Sequence, residues 1–443
     1  MSIAQTKEPW IRKIPTEWRL TAIKRLVSTK ITDGPHETPE LADDGVQFIS
    51  AEAIKNSRID FNQRRGFITR ELHEQYSRKC KPQRGDIFVI KSGATTGNVA
   101  YVDVDFEFSI WSPLALIRCD ERTTFYKFIY YVLLSDVFKK QIELSWSFGT
   151  QQNIGMGVIE RLKVPLPSID EQQRVATYLD ASCMAIDAAV AAKRRQLETL
   201  GALRKSIIQR AVTQGLNPQA KMKSAGLDWL CEVPAHWQVR QVKRMCSLVR
   251  GQFTHRPRND PAFYDGPYPF VQTGDITAAG KYIRTYSQTL NELGLSVSKR
   301  FPRGTLVMSI AANIGDVAIL DFEACFPDSM IGMVPGHKTN LDFLYYLMRA
   351  MRGIMLRSAV QSTQLNLNYV RIGTNFAPFP LLKEQSAIAE YLDVKERESH
   401  LISKTIETQI ATLIAYRKSL IHECVTGQRR ISEADVNRAK ATR

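Results

Sequence analysis

The chain has 443 residues, with 60 Lys and Arg against 45 Asp and Glu, a formal net charge of +15 and a pI near 9.4. Its 44% apolar content excludes general disorder, and no apolar run approaches the ~20 residues of a membrane span. The opening MSIAQTKEPWIRK lacks the apolar core of a secretory signal, so a cytoplasmic protein of two to four domains is expected. The basic balance is the electrostatic footprint of a surface that meets a polyanion. A membrane is the weaker candidate partner, because no basic amphipathic helix with an aromatic apolar face occurs. Seven scattered cysteines, at 80, 119, 183, 231, 246, 325 and 424, have neither zinc-site spacing nor disulfide density, and read as buried thiols.

The first element is a tryptophan-framed segment, Trp10, Pro15, Trp18, Lys24 and Arg25, that recurs 219 positions on as Trp229, Pro234, Trp237, Lys243 and Arg244. Next, Ile87 to Ile90 and Val99 to Val102 predict a hairpin around KSGATTGN. Its counterpart in the second copy runs from Thr305 to Ile310 and from Val317 to Leu320. An aromatic helical stretch follows each hairpin, Phe125 to Ile142 and Leu341 to Met355, in which Tyr130-Tyr131 answers Tyr345-Tyr346; core packing is the expected role of these tyrosines, ahead of base stacking. PLPSIDEQQRVATYLD (165–180) then returns as PFPLLKEQSAIAEYLD (378–393), 213 positions on, so the second copy is six residues shorter between the anchors. Duplicated frames with different contents predict one kind of task performed on two targets.

Each copy ends in a long helix with a coiled-coil seam. Ile186, Val190, Lys193, Leu197, Leu200, Arg204, Ile207 and Ala211 alternate in steps of 4 and 3, and adding 213 gives an equivalent seam at Ser399, Ser403, Ile406, Ile410, Leu413, Arg417, Leu420 and Cys424. Such stripes need a partner, and antiparallel pairing of the two helices is the economical solution. The fold class is therefore α+β: two mixed α/β domains separated by two long antiparallel coiled-coil helices, with an internal pseudo-twofold repeat. The expected boundaries are 1–168 and 229–382 for the mixed domains, 169–214 and 383–426 for the helices, 215–228 for a linker, and 427–443 for a frayed, solvated basic tail.

GLDWLCEVPAHW from Gly226, ITDGPHETP from Ile31, the paired P-x-P segments with E-Q and Y-L-D, and RKSIIQRAVTQG matching RKSLIHECVTG together resemble the specificity subunit of Type I restriction-modification systems. The resemblance covers nearly the whole chain, both copies, in order. It implies that each mixed domain is a target recognition domain reading one half of a gapped double-stranded DNA site. It also implies that the helices are a spacer and docking platform, with Ile186, Leu197, Leu200, Ile207, Ile406, Ile410, Leu413 and Leu420 in the seam. Two methyltransferase subunits would dock there and, through them, restriction subunits. S-adenosylmethionine, ATP and Mg are expected in those partners; this chain is expected to bind no cofactor or metal and to hold no catalytic residue.

For DNA contact, phosphate candidates are Arg64 and Arg65 in FNQRRGF, Lys91, Arg256 and Arg258 in THRPR, and Lys281; Thr95, Thr96 and Asn313 lie in the hairpin loops. Before the P-x-P segments, Gln151 aligns with Gln364 and Asn153 with Asn366. Gln and Asn can pair bidentately with adenine, yet residues shared by halves that read different bases are better scaffold than readers, which favours Gln152, aligned with Leu365, for specificity. Self-contained catalysis is disfavoured. Asp260-Pro261-Ala262-Phe263 lacks the second proline of an amino-methyltransferase box, SGATTGNV has no Walker lysine, and His73-Glu74 and His422-Glu423 lack a second zinc histidine. The alternative is a coiled-coil protein-interaction scaffold that does not read DNA, which leaves the charge and the duplicated mixed domains unexplained.

Overall fold

The computed structural model describes residues 2–145, 153–227, 229–311, 313–358 and 369–441. The chain divides into two compact units, residues 1–194 with 407–443, and residues 195–406. Each unit therefore builds its helical wall from a segment of both long helices, Ile169–Gln214 and Leu382–Val425.

In the first unit, Val99–Tyr101, Ile87–Ile90, Leu114–Ile117 and Thr32–Asp33 form a four-stranded antiparallel sheet in that order. Every residue of Ile87–Ile90 and Leu114–Ile117 is buried, because strand alternation feeds two cores. Ile87, Val89, Ala115 and Ile117 face a helical layer that includes Phe128 and Leu179. Phe88, Ile90, Leu114 and Leu116 face a layer carrying Ile49 and Phe108, residues of the small sheet Val46–Ile49, Gly66–Ile68 and Phe108–Ile110. The expected hairpin is present, with Val99 opposite Val89 and Tyr101 opposite Ile87.

The second unit repeats the plan. A sheet ordered Cys246–Arg250, Met330–Pro335, Leu306–Ser309, Val317–Leu320, Tyr282–Ile283 sends Leu306, Met308, Ile331 and Met333 to the helical side and Val307, Ala318 and Met330 to the other. The tryptophan-framed segment is a hairpin in both copies, Ile3–Glu8 with Ile11–Pro15 and Met222–Leu227 with Leu230–Pro234. Part of the span read as linker, 215–228, is thus a strand. The aromatic stretch divides in both copies, into Tyr126–Leu134 and Asp136–Ser145, and into Leu341–Ala350 and Arg352–Ser358. The four tyrosines of the two pairs are buried, as core packing requires.

Within the first unit the helices run antiparallel: Arg417 lies 3.0 Å from Asp187, the Arg429 guanidinium covers the Tyr178 ring, and Ile186 and Val190 share a core with Leu420 and Cys424. Within the second, Arg204 pairs with Glu396, and Ile208 and Val212 share a core with Ile388 and Leu392. The seam follows the expected register. Leu197, Leu200, Ile207, Ile410 and Leu413 are half-buried, Ile186, Ile406 and Leu420 are buried, and Arg204 alone among the sixteen seam positions is exposed. An 18-residue window of Ile169–Gln214 has a mean hydropathy of 1.3, enough by length and composition for a membrane span, but 44% of it is buried in the protein.

Two expectations fail. The tail is not frayed: Glu433–Ala441 is a helix, Ile431 and Val436 enter the first unit's core, and Arg430 pairs with Glu17 and, at 2.8 Å, with Glu171. Its two apolar side chains give it a face to bury, which its run of basic residues obscures. Of the seven cysteines, Cys231 is exposed; the other six are buried and all are free. Burial pushes the thiols of Cys80, Cys119, Cys246 and Cys424 up to about 12, which keeps them protonated and unreactive.

Candidate nucleic-acid interface

Two residues shared by the two copies, a glutamine and an aspartate at the start of each long helix, are framework. Gln172 is fully buried; its Oε1 accepts from the Phe125 amide at 2.8 Å, and its Nε2 donates to the carbonyls of Thr123 and Pro167 at 3.1 and 3.0 Å. Gln385 does the same for Asn340, Lys338 and Pro380 at 2.8, 3.1 and 2.9 Å. Each glutamine ties the start of its long helix to the loop before the aromatic helix. Replacing either with alanine strands three backbone groups, one in a buried bond and two in part-buried ones, so Gln172→Ala and Gln385→Ala should each cost about 1–3 kcal/mol in denaturant unfolding and leave the recognised sequence unchanged.

The Y-L-D aspartates have matching duties. Asp180 accepts from Tyr131 Oη at 2.7 Å and from Lys127 Nζ at 2.5 Å, and Asp393 accepts from Tyr346 Oη and Lys281 Nζ, both at 2.6 Å. The lysines come from different places in the two copies, a helix in one and a loop in the other, so the charge balance is kept while the sequence drifts. Glu171 receives Trp18 Nε1–H at 3.1 Å, whereas its counterpart Glu384 takes His236 at 3.0 Å and the buried Trp237 Nε1 has no hydrogen-bond acceptor among the described residues.

The phosphate candidates separate into two groups. Lys91 and Lys281 are not surface cations. Lys91 Nζ lies 2.5 Å from Asp33, with the two side chains 10% and 9% exposed, and Lys281 is held between Asp342 and Asp393 at 2.7 and 2.6 Å. Both charges are spent internally, so the expectation of phosphate contact fails for them. Burial pushes the Asp33 carboxyl up, but hydrogen bonds from Lys79 and Lys91 outweigh it and hold it below the usual carboxylate range. Arg64, Arg65, Arg256 and Arg258, by contrast, remain at the surface. Arg64 stacks over Phe67, with its Cζ 4.4 Å from the ring centre, and Arg65 over Trp111 at 4.0 Å, each a cation–π contact. Arg256 and Arg258 share one carboxylate, Asp328.

The hairpin loops present polar atoms. Gly93 (φ 101°) and Gly97 (φ 89°) supply the left-handed turns that put Thr95 and Thr96 between them. Thr95 is exposed, while Thr96 donates its hydroxyl to the Gly93 carbonyl at 2.7 Å. Asn153 is exposed and bridges to Ser92 of the same loop. Asn313 in the second copy is exposed and donates to Thr277 Oγ1 at 2.9 Å. Gln151, Gln152, Gln364 and Asn366 lie outside the described residues.

Sequence reasoning missed a groove of about 1370 Å3 in the second unit. Helix, hairpin loop and aromatic-helix residues meet there, including Lys205, Arg352, Arg397, His400 and Asn313. These residues are spread over 195 positions, and no local pattern in the sequence marks them as one surface: Arg397 sits between Glu396 and Glu398. Among the described residues, no cluster of three or more His, Cys, Asp or Glu could hold a metal. His73 is a core residue, its Nδ1 2.8 Å from Ser109 Oγ.

The family described as the Type I restriction modification DNA specificity domain matches residues 17–198 and again 234–412, one match per copy and most of the chain. The chain belongs to that family. It is a DNA sequence-specificity subunit of the Type I restriction-modification kind, with two specificity domains. The putative type I restriction enzyme MjaX specificity subunit of Methanocaldococcus jannaschii is 22% identical over 448 residues, covering 96% of each chain. The EcoBI specificity subunit of Escherichia coli is 24% identical over 216 residues, 48% of this chain and 45% of that protein. In fold, the specificity subunit resembles a chain solved in work on complex assembly and conformational transition of the type I R-M system, with a TM-score of 0.75 at 15% identity over 94% of this chain and 99% of that one. The HsdS subunit from Thermoanaerobacter tengcongensis matches with a TM-score of 0.57 at 16% identity, over 96% and 100%.

Proposed function

We propose that the chain reads a bipartite, gapped DNA target, one half-site with each mixed domain, and that it directs adenine methylation and ATP-dependent cleavage performed by partner subunits in the cytoplasm. Two methyltransferase subunits would dock on the paired helices and carry restriction subunits with them. S-adenosylmethionine, ATP and Mg would be bound by those partners, and this chain would contribute recognition without catalysis. The observation that carries this reading is a framework held identical in both copies, Gln172 with Gln385 and Asp180 with Asp393, around surface loops that differ, KSGATTGN against AANIG. A scaffold that bound one partner twice would have no reason to vary its loops and hold its interior.

Lys and Arg contacts to phosphate would set affinity and its salt dependence, while loop side chains at base edges would discriminate sequence. Because the long helices run covalently from one unit into the other, their length would act as the ruler for the unread gap. Inserting one heptad into each helix, in register near Glu198 and Ala411, should lengthen the gap in the methylated motif and leave both half-sites unchanged. An unchanged gap would remove the helices from that role.

A further inference from the structure

The groove of the second unit is lined by six Lys and Arg, Arg204, Lys205, Lys281, Arg349, Arg352 and Arg397, against three carboxylates, Asp316, Asp393 and Glu396. The excess is +3 (6 − 3), and the pairing identifies the surplus. Asp393 is taken by Lys281, Glu396 by Arg204 and Arg349, and Asp316 by Arg352 at 2.7 Å. Lys205 and Arg397, one from each long helix, have no ion-pair partner among the described residues and are exposed at the groove wall. His400 stands one turn from Arg397 on the same wall. The lining also includes Asn313 and Gly315 of the hairpin loop, and Arg352 and Leu356 of the helix Arg352–Ser358.

This charge is not repeated in the first unit. The 213-residue offset places Met184 at the position of Arg397, Asp187 at that of His400 and Cys183 at that of Glu396. Lys418, the counterpart of Lys205, is neutralised by Asp136 at 3.0 Å, and Asp187 is taken by Arg417. A surface meant for two copies of one protein partner would be present in both units. One confined to a single unit fits a ligand engaged differently by the two, and unpaired cations beside a recognition loop fit a polyanion.

We propose that this groove holds the sugar-phosphate backbone of the DNA bound by the second unit, with Lys205 and Arg397 of the long helices as phosphate contacts. The proposal rests on the DNA-reading role and deepens it: the helices would be part of the DNA-binding surface as well as a spacer. The test uses the chain co-purified with its methyltransferase partner and two duplexes, one carrying the motif mapped by methylation and one scrambled. Affinity for each is measured against salt for the wild type, for a Lys205→Gln/Arg397→Gln double variant, and for Lys418→Gln as control. Each phosphate contact contributes ~0.9 to the slope of log affinity against log salt, so the double variant should lose about 2 from the slope on both duplexes, with the methylated motif unchanged. The control should match the wild type. A wild-type slope in an intact double-variant complex would overturn the groove assignment alone. Failure of the double variant to assemble with the methyltransferase would overturn it in favour of a protein-docking surface, and a wild-type complex that does not prefer its motif would remove the DNA-reading role itself.

Discussion

Exchanging residues 1–168 for the corresponding domain of a relative with a different target should replace one half of the methylated motif and leave the other half and the gap as they were. The first unit's candidate DNA-contacting residues in the Gly93–Gly97 turn and the Arg64-Arg65 pair lie wholly inside that segment. What the exchange must preserve is the contact of the incoming domain with the retained C-terminal segment. Trp18 and Glu17 meet it through Glu171 and Arg430, and a Cβ at Gly427 would lie 2.4 Å from Pro15. A donor domain that keeps the tryptophan, the proline and the glutamate at those positions, together with the Tyr131 and Lys127 partners of Asp180 and the loop held by Gln172, should therefore dock without repair. Motif mapping of the hybrid decides the matter: a change in both halves would contradict independent reading by two modules.

The largest stability effect is expected at Asp33. Its carboxylate neutralises Lys91, which is buried with it, and Lys79, which is half exposed. Asp33→Ala leaves the Lys91 ammonium buried without a counter-charge, and breaking a buried pair in this way costs about 3–5 kcal/mol, far more than loss of a surface pair at about 0–1 kcal/mol. The effect should depend on pH in a defined direction. The folded-state carboxyl lies below its usual range, so its stabilisation is complete above the unfolded-state value of ~3.9 and is lost as pH falls through the lower folded value. Denaturant unfolding of the full chain should show wild type and Asp33→Ala far apart near neutral pH and converging in strong acid. A pH-independent difference would mean that packing, and not the ion pair, carries the cost.

These two sites mark where the sequence was legible and where it was not. The seam could be read because its signal is local: a 4-and-3 alternation predicts burial at each step, and Ile406, Ile410, Leu413 and Leu420 are buried or half-buried where they should be. The central hairpins were readable for the same reason, as apolar runs bounded by glycine. The hairpin Ile3–Glu8 with Ile11–Pro15 was not, because IAQTKE alternates polar and small residues with little apolar content. Ion pairing was the least legible. Lys91 meets Asp33 58 positions away and Lys281 meets Asp393 112 away, and nothing local separates such lysines from exposed ones like Lys205. The comparison between copies did carry information: residues common to both, Gln172 and Asp180 with their counterparts, are interior framework.

The most direct test of the account is to co-express the chain with its methyltransferase partner in a host free of adenine methylation and to map modified adenines by long-read sequencing. The account predicts a two-part motif separated by a gap of fixed length. A continuous motif, or no modification from a complex shown to be intact, would contradict it.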